Sequence, residues 1–209
     1  MKRLFLTSSM HDVAKDIVKR LGLTTGNKLV FIDTASEKID DDKEWLRNDR
    51  SALVQVGFDV TDYTITGKTE NILQGDLAKY DYIFLSGGDT PHLLEQSHKS
   101  GFFTLIKDLI HKEGKTYIGV SAGSIIAGPV VPEYLFEKAD LPDRMKRRGY
   151  GLINFTIVPH WGSKFFQDEY LKRRLKMVYR EKQNPLLLLT DHQYVYVQDG
   201  LVEIIDTTK

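Results

Sequence analysis

A serine framed by two glycines is the part of this chain whose residue types and spacing best fit a chemical role. Ser121 follows the apolar run Thr116–Val120, and glycines stand two residues before it and two residues after it. Where a buried strand turns sharply into a helix, the turn residue is strained and its side chain is exposed. The flanking glycines leave the room that such a turn requires. The pattern predicts a nucleophilic hydroxyl at Ser121, and the alternative is a tight turn whose small residues serve packing alone.

A second glycine turn ends the predicted strand Tyr82–Ser86. Its sequence is Gly87-Gly88-Asp89-Thr90-Pro91, in which Asp89 or Thr90 would cap a helix that has proline in its first turn. Adjacent glycines allow backbone amides to approach a ligand closely. We expect this turn to provide one donor for an oxyanion formed at Ser121, and the Ala122 amide to provide the other. The alternative is an ordinary strand-to-helix turn.

A serine nucleophile requires a general base, which is usually histidine. The chain has two histidines on polar helical stretches, two where helices begin and two after predicted strands: His98, His111, His11, His92, His160 and His192. Solvation or helix capping explains the first four. His160 follows the apolar run Phe155–Val158, at the strand end where the sites of α/β proteins assemble. We therefore predict that His160 is the base, with His192 as its competitor.

The third member of such a group is a carboxylate that orients the imidazole. Asp191 follows the predicted strand Leu186–Leu189 closely, and Asp140 lies between the serine and the histidine along the chain. Asp191 is the first choice and Asp140 the alternative, and the sequence leaves the two open. The histidines and carboxylates show no spacing typical of a metal site, so no metal is expected.

The elements that must position these residues alternate between short apolar runs and longer amphipathic stretches, which is typical of βα units around a mostly parallel sheet. The predicted strands are Arg3–Thr7, Lys28–Asp33, Phe58–Tyr63, Tyr82–Ser86, Thr116–Val120, Phe155–Val158, a buried Leu186–Leu189, Gln193–Val197 and Leu201–Ile205. The predicted helices are His11–Leu21, Asp40–Val56, Asn71–Leu77, Thr90–Glu95, Phe102–Glu113 and Gln167–Glu181. Aspartate and glycine between the last two strands indicate an antiparallel hairpin. We expect one α/β domain over residues 1–209.

Two of these helices have predicted apolar faces. The second helix would bury Trp45, Leu46, Leu53, Val54 and Val56, and the last would bury Tyr170, Leu171, Leu175, Val178 and Tyr179. In both helices the charged residues would lie on the opposite face.

The composition of the chain excludes several classes of chemistry. It has 209 residues and no cysteine, so a thiol nucleophile, an iron–sulfur cluster and a disulfide framework are absent. Lysine and arginine total 29, as do aspartate and glutamate, which argues against a nucleic-acid or anionic-membrane partner. The local basic run Lys138–Arg148 is expected to be a solvated face. The chain has no apolar stretch long enough for a signal peptide or a membrane helix, so we expect a soluble, cytoplasmic protein.

Three motifs together resemble the peptidase E (aspartyl dipeptidase) family of serine peptidases and its cyanophycinase relatives. They are the glycine turn at 86–90, the serine turn at 118–123 and the Val-Pro-His-Trp segment at 158–161. The resemblance extends over essentially the whole chain. It implies a three-layer, flavodoxin-like α/β fold similar to that of the class I glutamine amidotransferases, with serine in place of their cysteine.

The resemblance also implies site roles. It makes Ser121 the nucleophile, His160 the base, and the amides of Gly88 and Ala122 the oxyanion hole. The acid would be Asp191 or Asp140, and no cofactor is implied. The aspartyl dipeptidases bind the substrate side-chain carboxylate with an arginine on the helix after the histidine. Here the corresponding segment is shorter, and Arg173 and Arg174 are the candidates.

These observations predict a serine-type peptidase that cleaves short peptides through an acyl-enzyme on Ser121. The peptidase reaction transfers from the resemblance more firmly than a preference for N-terminal aspartate does. The partner would be a small peptide substrate, and the protein would be a monomer or a homodimer. Two alternatives are a small-molecule esterase or acyl hydrolase, and a non-catalytic binding module of the same fold.

Overall fold

Nine strands form two sheets in the computed structural model, which describes residues 2–23, 26–137, 142–180 and 185–208. In chain order they are β1 (Arg3–Thr7), β2 (Asn27–Ile32), β3 (Phe58–Tyr63), β4 (Tyr82–Leu85), β5 (Thr116–Val120), β6 (Thr156–Val158), β7 (Leu186–Leu188), β8 (Gln193–Gln198) and β9 (Leu201–Asp206). The main sheet has the order β3-β2-β4-β5-β1-β8-β9. Strands β1 to β5 pair in parallel, whereas β8 is antiparallel to β1 and β9 is antiparallel to β8.

Helices cover both faces of the main sheet. In chain order they are α1 (Met10–Leu21), α2 (Glu44–Gln55), α3 (Glu70–Leu77), α4 (Thr90–Ser100), α5 (Phe102–His111), α6 (Ala122–Ile126), α7 (Gln167–Glu169) and α8 (Leu175–Arg180). A π-helical turn, Tyr170–Arg174, joins α7 to α8, and short 3-10 turns lie at Thr34–Ser36 and Glu133–Leu135. Within the described ranges, none of these helices has the length and apolar character needed to cross a membrane.

Alternation along the strands divides the core into two layers. Phe5 of β1 packs with α1 and α2 on one face of the sheet, whereas its neighbours Leu4 and Leu6 pack with α3 to α6 on the other. Strands β4 and β5 are buried along their whole length, as their unbroken apolar sequences predict for strands covered on both faces. The predicted three-layer α/β fold with a C-terminal antiparallel hairpin is confirmed.

The two strands that precede the predicted base and acid differ from expectation. Strands β6 and β7 do not join the main sheet but pair with each other in a separate two-stranded parallel sheet. The prediction that β7 is buried is wrong for Leu186 and Leu188, whose exposed fractions are 37% and 38%. Among the described residues β7 pairs with β6 alone, so it lacks the cover that the strands inside the main sheet have. Only Leu189, immediately after β7, is fully buried.

The predicted apolar faces of two helices also need correction. Helix α2 begins at Glu44 and leaves Val54 about half exposed, while Asp49 is buried. The Asp49 carboxylate accepts hydrogen bonds from the amides of Met10 and His11, so it satisfies the otherwise unpaired amino terminus of α1. In the last helix, the π-helical turn breaks the regular spacing, which leaves Leu171 exposed although Tyr170 is buried.

Candidate active site

Ser121 occupies the turn between β5 and α6 in a conformation that few residues adopt. Its φ is 46° and its ψ is −103°, the strained geometry that the glycine-framed motif predicts. A Cβ on Gly119 would lie 2.6 Å from the Gly123 carbonyl oxygen, and one on Gly123 would lie 2.3 Å from the Leu85 carbonyl oxygen. Both glycines are therefore required by the close approach of backbone. The Ser121 amide is fixed by a 2.9 Å hydrogen bond to the Thr7 carbonyl at the end of β1.

His160 and Asp191 lie beside this serine. The Nε2 atom of His160 is 3.0 Å from Ser121 Oγ, and its Nδ1 atom is 2.7 Å from Asp191 Oδ1. With the proton on Nδ1, the imidazole donates to the carboxylate and accepts from the hydroxyl, which is the arrangement of a Ser-His-Asp triad. The side chains of His160 and Asp191 are 19% and 34% exposed, so the group is open to a ligand from solvent.

The small sheet brings His160 and Asp191 together. His160 stands two residues after β6, and Asp191 stands three residues after β7, at the same end of this parallel pair. The Leu189 amide donates to the Val158 carbonyl at 3.0 Å, and the Trp161 amide donates to the Leu189 carbonyl at 2.8 Å. These bonds continue the pairing beyond the strands, so the residues that follow remain adjacent.

The Gly87–Gly88 turn lies against the serine. A Cβ on Gly87 would be 3.3 Å from Ser121 Cβ and 3.8 Å from its Oγ, and the ring of Trp45 would lie on its other side at 3.4 Å. Gly88 has a φ of 130° and packs so closely on Ala35 that a Cβ would lie 2.2 Å from the Ala35 carbonyl oxygen. Only glycine fits that position.

The amides of Gly88 and Ala122 make no hydrogen bond to any other group in the part of the chain that the structure describes. They are the two amides that the family resemblance assigns to an oxyanion hole, and they remain available as donors. Helix α4 starts directly after this turn, with Asp89 as its cap: the Asp89 side chain accepts from the His92 amide at 2.7 Å.

Arg174 is surrounded by aromatic rings, one of which also stacks on His160. The guanidinium carbon of Arg174 lies 5.4 Å from the ring centroid of Tyr134, 5.2 Å from that of Phe166 and 5.0 Å from that of Tyr170. Phe166 in turn stacks on the His160 ring, with centroids 4.7 Å apart and planes 18° from parallel. The Arg174 side chain is 16% exposed.

Among the described residues, Arg174 forms one loose ion pair, in which its Nε lies 3.6 Å from Glu169 Oε1. That buried Nε has no hydrogen-bond partner in the same part of the chain. Arg173, the other candidate, is more exposed, at 40%, and its guanidinium donates to the Phe136 carbonyl at 3.3 Å. Of the two arginines, Arg174 is the one connected to the base through a shared aromatic ring.

The remaining histidines lie apart from the serine. His192, the predicted competitor, is 55% exposed and has its Nδ1 atom 3.6 Å from an Asp12 carboxylate oxygen. His98 and His111 are exposed, as expected. His92 is buried and its Nε2 lies 2.7 Å from Glu37, a pairing that helix capping alone did not predict. Asp140, the alternative acid, and Lys138 of the basic run lie outside the described residues.

The basic run is solvated at Arg144, Lys146 and Arg148, as expected. The expectation is wrong for Arg147, which is buried because its guanidinium donates to the Val131 carbonyl at 3.0 Å and pairs with Glu133 at 2.7 Å.

Two of the neighbouring polar groups have shifted pKa values. The hydrogen bond to Asp49 raises the pKa of His11. Burial lowers that pKa by less, and the negative charges of Asp12 and Asp191 raise it further. Burial alone would raise the pKa of the Glu37 carboxyl, but the hydrogen bond from His92 and those from two threonines lower it below its ordinary value. No group of three metal-binding side chains that could hold an ion occurs among the described residues.

Sequence reasoning missed three residues at this site. Trp45, predicted to lie on the apolar face of α2, borders Gly87 instead. Phe166 stacks on the His160 ring, and the buried Ser8 hydroxyl accepts a hydrogen bond from the His160 amide. Ser8 follows β1 directly, at the strand ends where this site assembles, and only that position in the sequence could have indicated its place in the site. No local pattern distinguishes Trp45 or Phe166 from ordinary apolar residues.

Comparison with known proteins gives a consistent result. The model of peptidase family S51 matches residues 4–205 of this chain. An uncharacterized peptidase of Pasteurella multocida (strain Pm70) is 32% identical over 163 residues, which cover 77% of this chain and 78% of the relative. An uncharacterized peptidase of Listeria innocua serovar 6a is 28% identical over 203 residues, covering 95% of this chain and 94% of the relative.

A solved structure agrees with these sequence relatives. The 1.5 Å crystal structure of a candidate peptidase E protein from Listeria monocytogenes EGD-e superimposes with a TM-score of 0.85 at 26% identity. The match covers 99% of this chain and 98% of that protein. A peptidase from an acI-B1 Actinobacterium, at 15% identity, shares the fold with a TM-score of 0.73, over 99% of this chain and 88% of that one.

Proposed function

Because this chain belongs to peptidase family S51, we propose that it cleaves short peptides through an acyl-enzyme formed on Ser121. Family membership makes the protein a peptidase and therefore a hydrolase. The serine mechanism is our inference, and one observation carries it: the imidazole of His160 bridges the Ser121 hydroxyl and the Asp191 carboxylate at 3.0 Å and 2.7 Å.

The first half of the reaction forms the acyl-enzyme. Ser121 Oγ attacks the scissile carbonyl carbon while His160 Nε2 takes the hydroxyl proton, and Asp191 stabilises the resulting imidazolium. The carbonyl oxygen becomes an oxyanion that accepts hydrogen bonds from the free amides of Gly88 and Ala122. Each such donor contributes about 3–4 kcal/mol to transition-state stabilisation. Collapse of the intermediate breaks the C–N bond, and His160 gives its proton to the departing amine.

The second half releases the acyl group. A water molecule takes the place of the departed amine, and His160 Nε2 accepts one of its protons as the oxygen attacks the ester carbonyl. The new tetrahedral intermediate uses the same two amides. When it collapses, the proton on His160 returns to Ser121 Oγ, and the carboxylic acid product leaves. The enzyme ends with every group in its starting protonation state.

We assign the substrate's acidic group to Arg174 rather than to Arg173. Arg174 is enclosed by three aromatic rings, which exclude water and strengthen its interaction with an anion. Phe166 lies against both Arg174 and His160, so a carboxylate bound to this arginine would be part of a molecule that reaches the base. The assignment favours peptides with an acidic side chain, in keeping with the aspartyl dipeptidase resemblance.

Labelling with a fluorophosphonate probe, together with hydrolysis of a dipeptide panel, tests the mechanism. We expect the wild type to be labelled and active, Ser121→Ala to lose both properties, and Ser51→Ala, at an exposed serine on α2, to keep both. The panel should vary the N-terminal residue among aspartate, glutamate, asparagine and alanine. Equal labelling or equal turnover of the wild type and Ser121→Ala would refute the proposal.

A further inference from the structure

We propose that Ser8 is a positioning residue, whose hydroxyl fixes the His160–Asp191 pair at reacting distance from Ser121. The inference rests on the proposed function, because it concerns the same three side chains. It assigns a role to a buried hydroxyl that touches neither substrate nor reacting atoms but determines where the base stands.

The need for such a residue follows from the topology. Ser121 follows β5 in the main sheet, whereas His160 and Asp191 follow β6 and β7 in the small sheet. Over the described ranges, no strand is shared between the two sheets. The 3.0 Å distance between His160 Nε2 and Ser121 Oγ therefore depends on how one sheet is placed against the other, and not on pairing within either sheet.

Ser8 makes polar contacts between these two units. It is 1% exposed, and its Oγ accepts a hydrogen bond from the His160 amide at 3.0 Å and donates one to the Leu189 carbonyl at 3.0 Å. Leu189 lies two residues before Asp191. A single hydroxyl thus contacts the chain beside the base and the chain beside the acid.

The same strand end also holds the nucleophile. Ser8 directly follows Thr7, the last residue of β1. The Thr7 carbonyl accepts a hydrogen bond from the Ser121 amide at 2.9 Å. Two consecutive residues at the end of β1 therefore bind the backbone of the nucleophile and the backbone of the base. The 3.0 Å distance between His160 Nε2 and Ser121 Oγ therefore depends on Thr7 and Ser8, which are both buried.

The backbone of His160 gives the amide bond particular importance. Its φ is 61°, in the left-handed region that residues other than glycine seldom adopt. Such a conformation persists only where surrounding contacts determine it. Without the Ser8 hydroxyl the His160 amide loses its hydrogen-bond partner, while the Leu189 carbonyl keeps the Trp161 amide at 2.8 Å. The loss therefore acts at the base, which is free to relax away from Ser121.

The first experiment compares Ser8→Ala with Ser97→Ala. Ser97 is also fully buried, and its hydroxyl bonds both the Leu93 carbonyl and the Tyr150 hydroxyl at 2.7 Å, so its removal costs two hydrogen bonds in another part of the core, as removal of Ser8 does. We expect Ser8→Ala to lower kcat about 10- to 100-fold, as a displacement of under 1 Å at a reacting group does. KM should stay within about twofold, because substrate contacts are unchanged. Ser97→Ala should lose similar thermal stability and keep its kcat.

A second pair of variants separates the hydroxyl from the shape of the side chain. Threonine and valine at position 8 add the same branched volume but differ in the hydroxyl. We expect Ser8→Thr to have at least about tenfold higher kcat than Ser8→Val, again from the position of the base. The pH dependence of kcat/KM should also move in Ser8→Val, because the base loses its fixed partner, and should remain that of wild type in Ser97→Ala.

The low-field proton resonance of the His160–Asp191 hydrogen bond gives a readout that needs no substrate. We expect it to shift or broaden in Ser8→Ala and to remain in Ser97→Ala. Equal kcat values for these two variants, with an unchanged resonance, would overturn the role of Ser8. An inactive, unlabelled wild type would instead refute the proposed function, and the resonance would still decide whether Ser8 positions the pair.

Discussion

Alanine at Gly87 should impair the reaction while leaving the fold intact. A Cβ at this position would meet Ser121 Cβ at 3.3 Å, the Trp45 ring at 3.4 Å and Ser121 Oγ at 3.8 Å. The backbone of Gly87 is not in the left-handed region, so alanine can adopt it. The contacts are tight by only a few tenths of an ångström, and we expect a loss of about 1 kcal/mol or less in the free energy of unfolding.

The effect on activity should be much larger. The new methyl group stands beside the hydroxyl, where the substrate carbonyl must come within about 3–3.5 Å of Oγ. It either displaces that carbonyl or pushes the strained Ser121 turn away from the base. A misplacement of a fraction of an ångström to 1 Å at the reacting atoms lowers the rate by up to about 100-fold. We therefore expect kcat/KM and the rate of fluorophosphonate labelling to fall by about 10- to 100-fold.

Two other glycine substitutions serve as controls for this prediction. In Gly88→Ala the Cβ would lie 2.2 Å from the Ala35 carbonyl oxygen at a φ of 130°, so both stability and activity should fall. Gly75 lies within α3 with nothing inside 4 Å of its Cβ position, and Gly75→Ala should stabilise the protein by about 0.5–1 kcal/mol. Its activity should equal that of the wild type.

Urea unfolding, labelling rate and dipeptide hydrolysis measured on the same preparations decide the outcome. Gly87→Ala with the labelling rate and kcat/KM of the wild type would show that the turn does not border the reacting atoms as we infer. A Gly88→Ala protein as stable as the wild type would refute the reasoning from backbone contact.

Three further predictions concern charged groups. Asp191→Asn should retain its fold and lower kcat by about 10³- to 10⁴-fold, because an amide cannot stabilise the imidazolium. Circular dichroism checks the fold and steady-state kinetics check kcat, and a small loss of kcat would contradict the assignment of Asp191 as the acid. Arg174→Met should lower kcat/KM about 10- to 100-fold for peptides with acidic side chains and leave kcat/KM for neutral peptides unchanged. The matched Arg173→Met should leave kcat/KM unchanged for both kinds of peptide. Equal effects of the two variants would count against the assignment of Arg174. The Asp49 interaction raises the pKa of His11 in the folded state, so it stabilises the protein fully below about pH 6.5 and is lost as the pH rises through the folded-state pKa. The melting temperature of His11→Gln should therefore fall furthest below that of the wild type near pH 5.5 and approach it above pH 8, and a pH-independent difference would refute this coupling.

The segments whose structure depends on consecutive residues were predictable from the sequence. The serine turn requires glycine at positions 119 and 123 because a Cβ at either one would collide with nearby backbone, of the turn itself or of the adjacent strand. This steric requirement is visible in the sequence as the spacing of residues 119, 121 and 123. The unbroken apolar runs of β4 and β5 likewise predicted strands covered on both faces. Helix α4 begins at the predicted turn, with Asp89 as the cap.

The elements that depend on distant contacts were harder to predict. Strand β7 was expected to be buried, but its neighbours leave Leu186 and Leu188 partly exposed, and an apolar run alone does not specify which sheet it joins. Asp49 interrupts the apolar face of α2 because it binds amides of another helix. Such a partner cannot be inferred from periodicity along a single helix.

By itself, then, the sequence determined the order of strands and helices along the chain, the strained turn at Ser121 and the absence of any thiol chemistry, because these follow from residue types and short-range spacing. The sequence offered His160 ahead of His192 and Asp191 ahead of Asp140, and the tertiary structure decided that His160 and Asp191 stand beside that serine. The pairs involved are 39 and 31 residues apart, and the Ser8 contact to His160 spans 152 residues. Contacts at such separations depend on how the two sheets pack together, and local patterns carry no information about that packing.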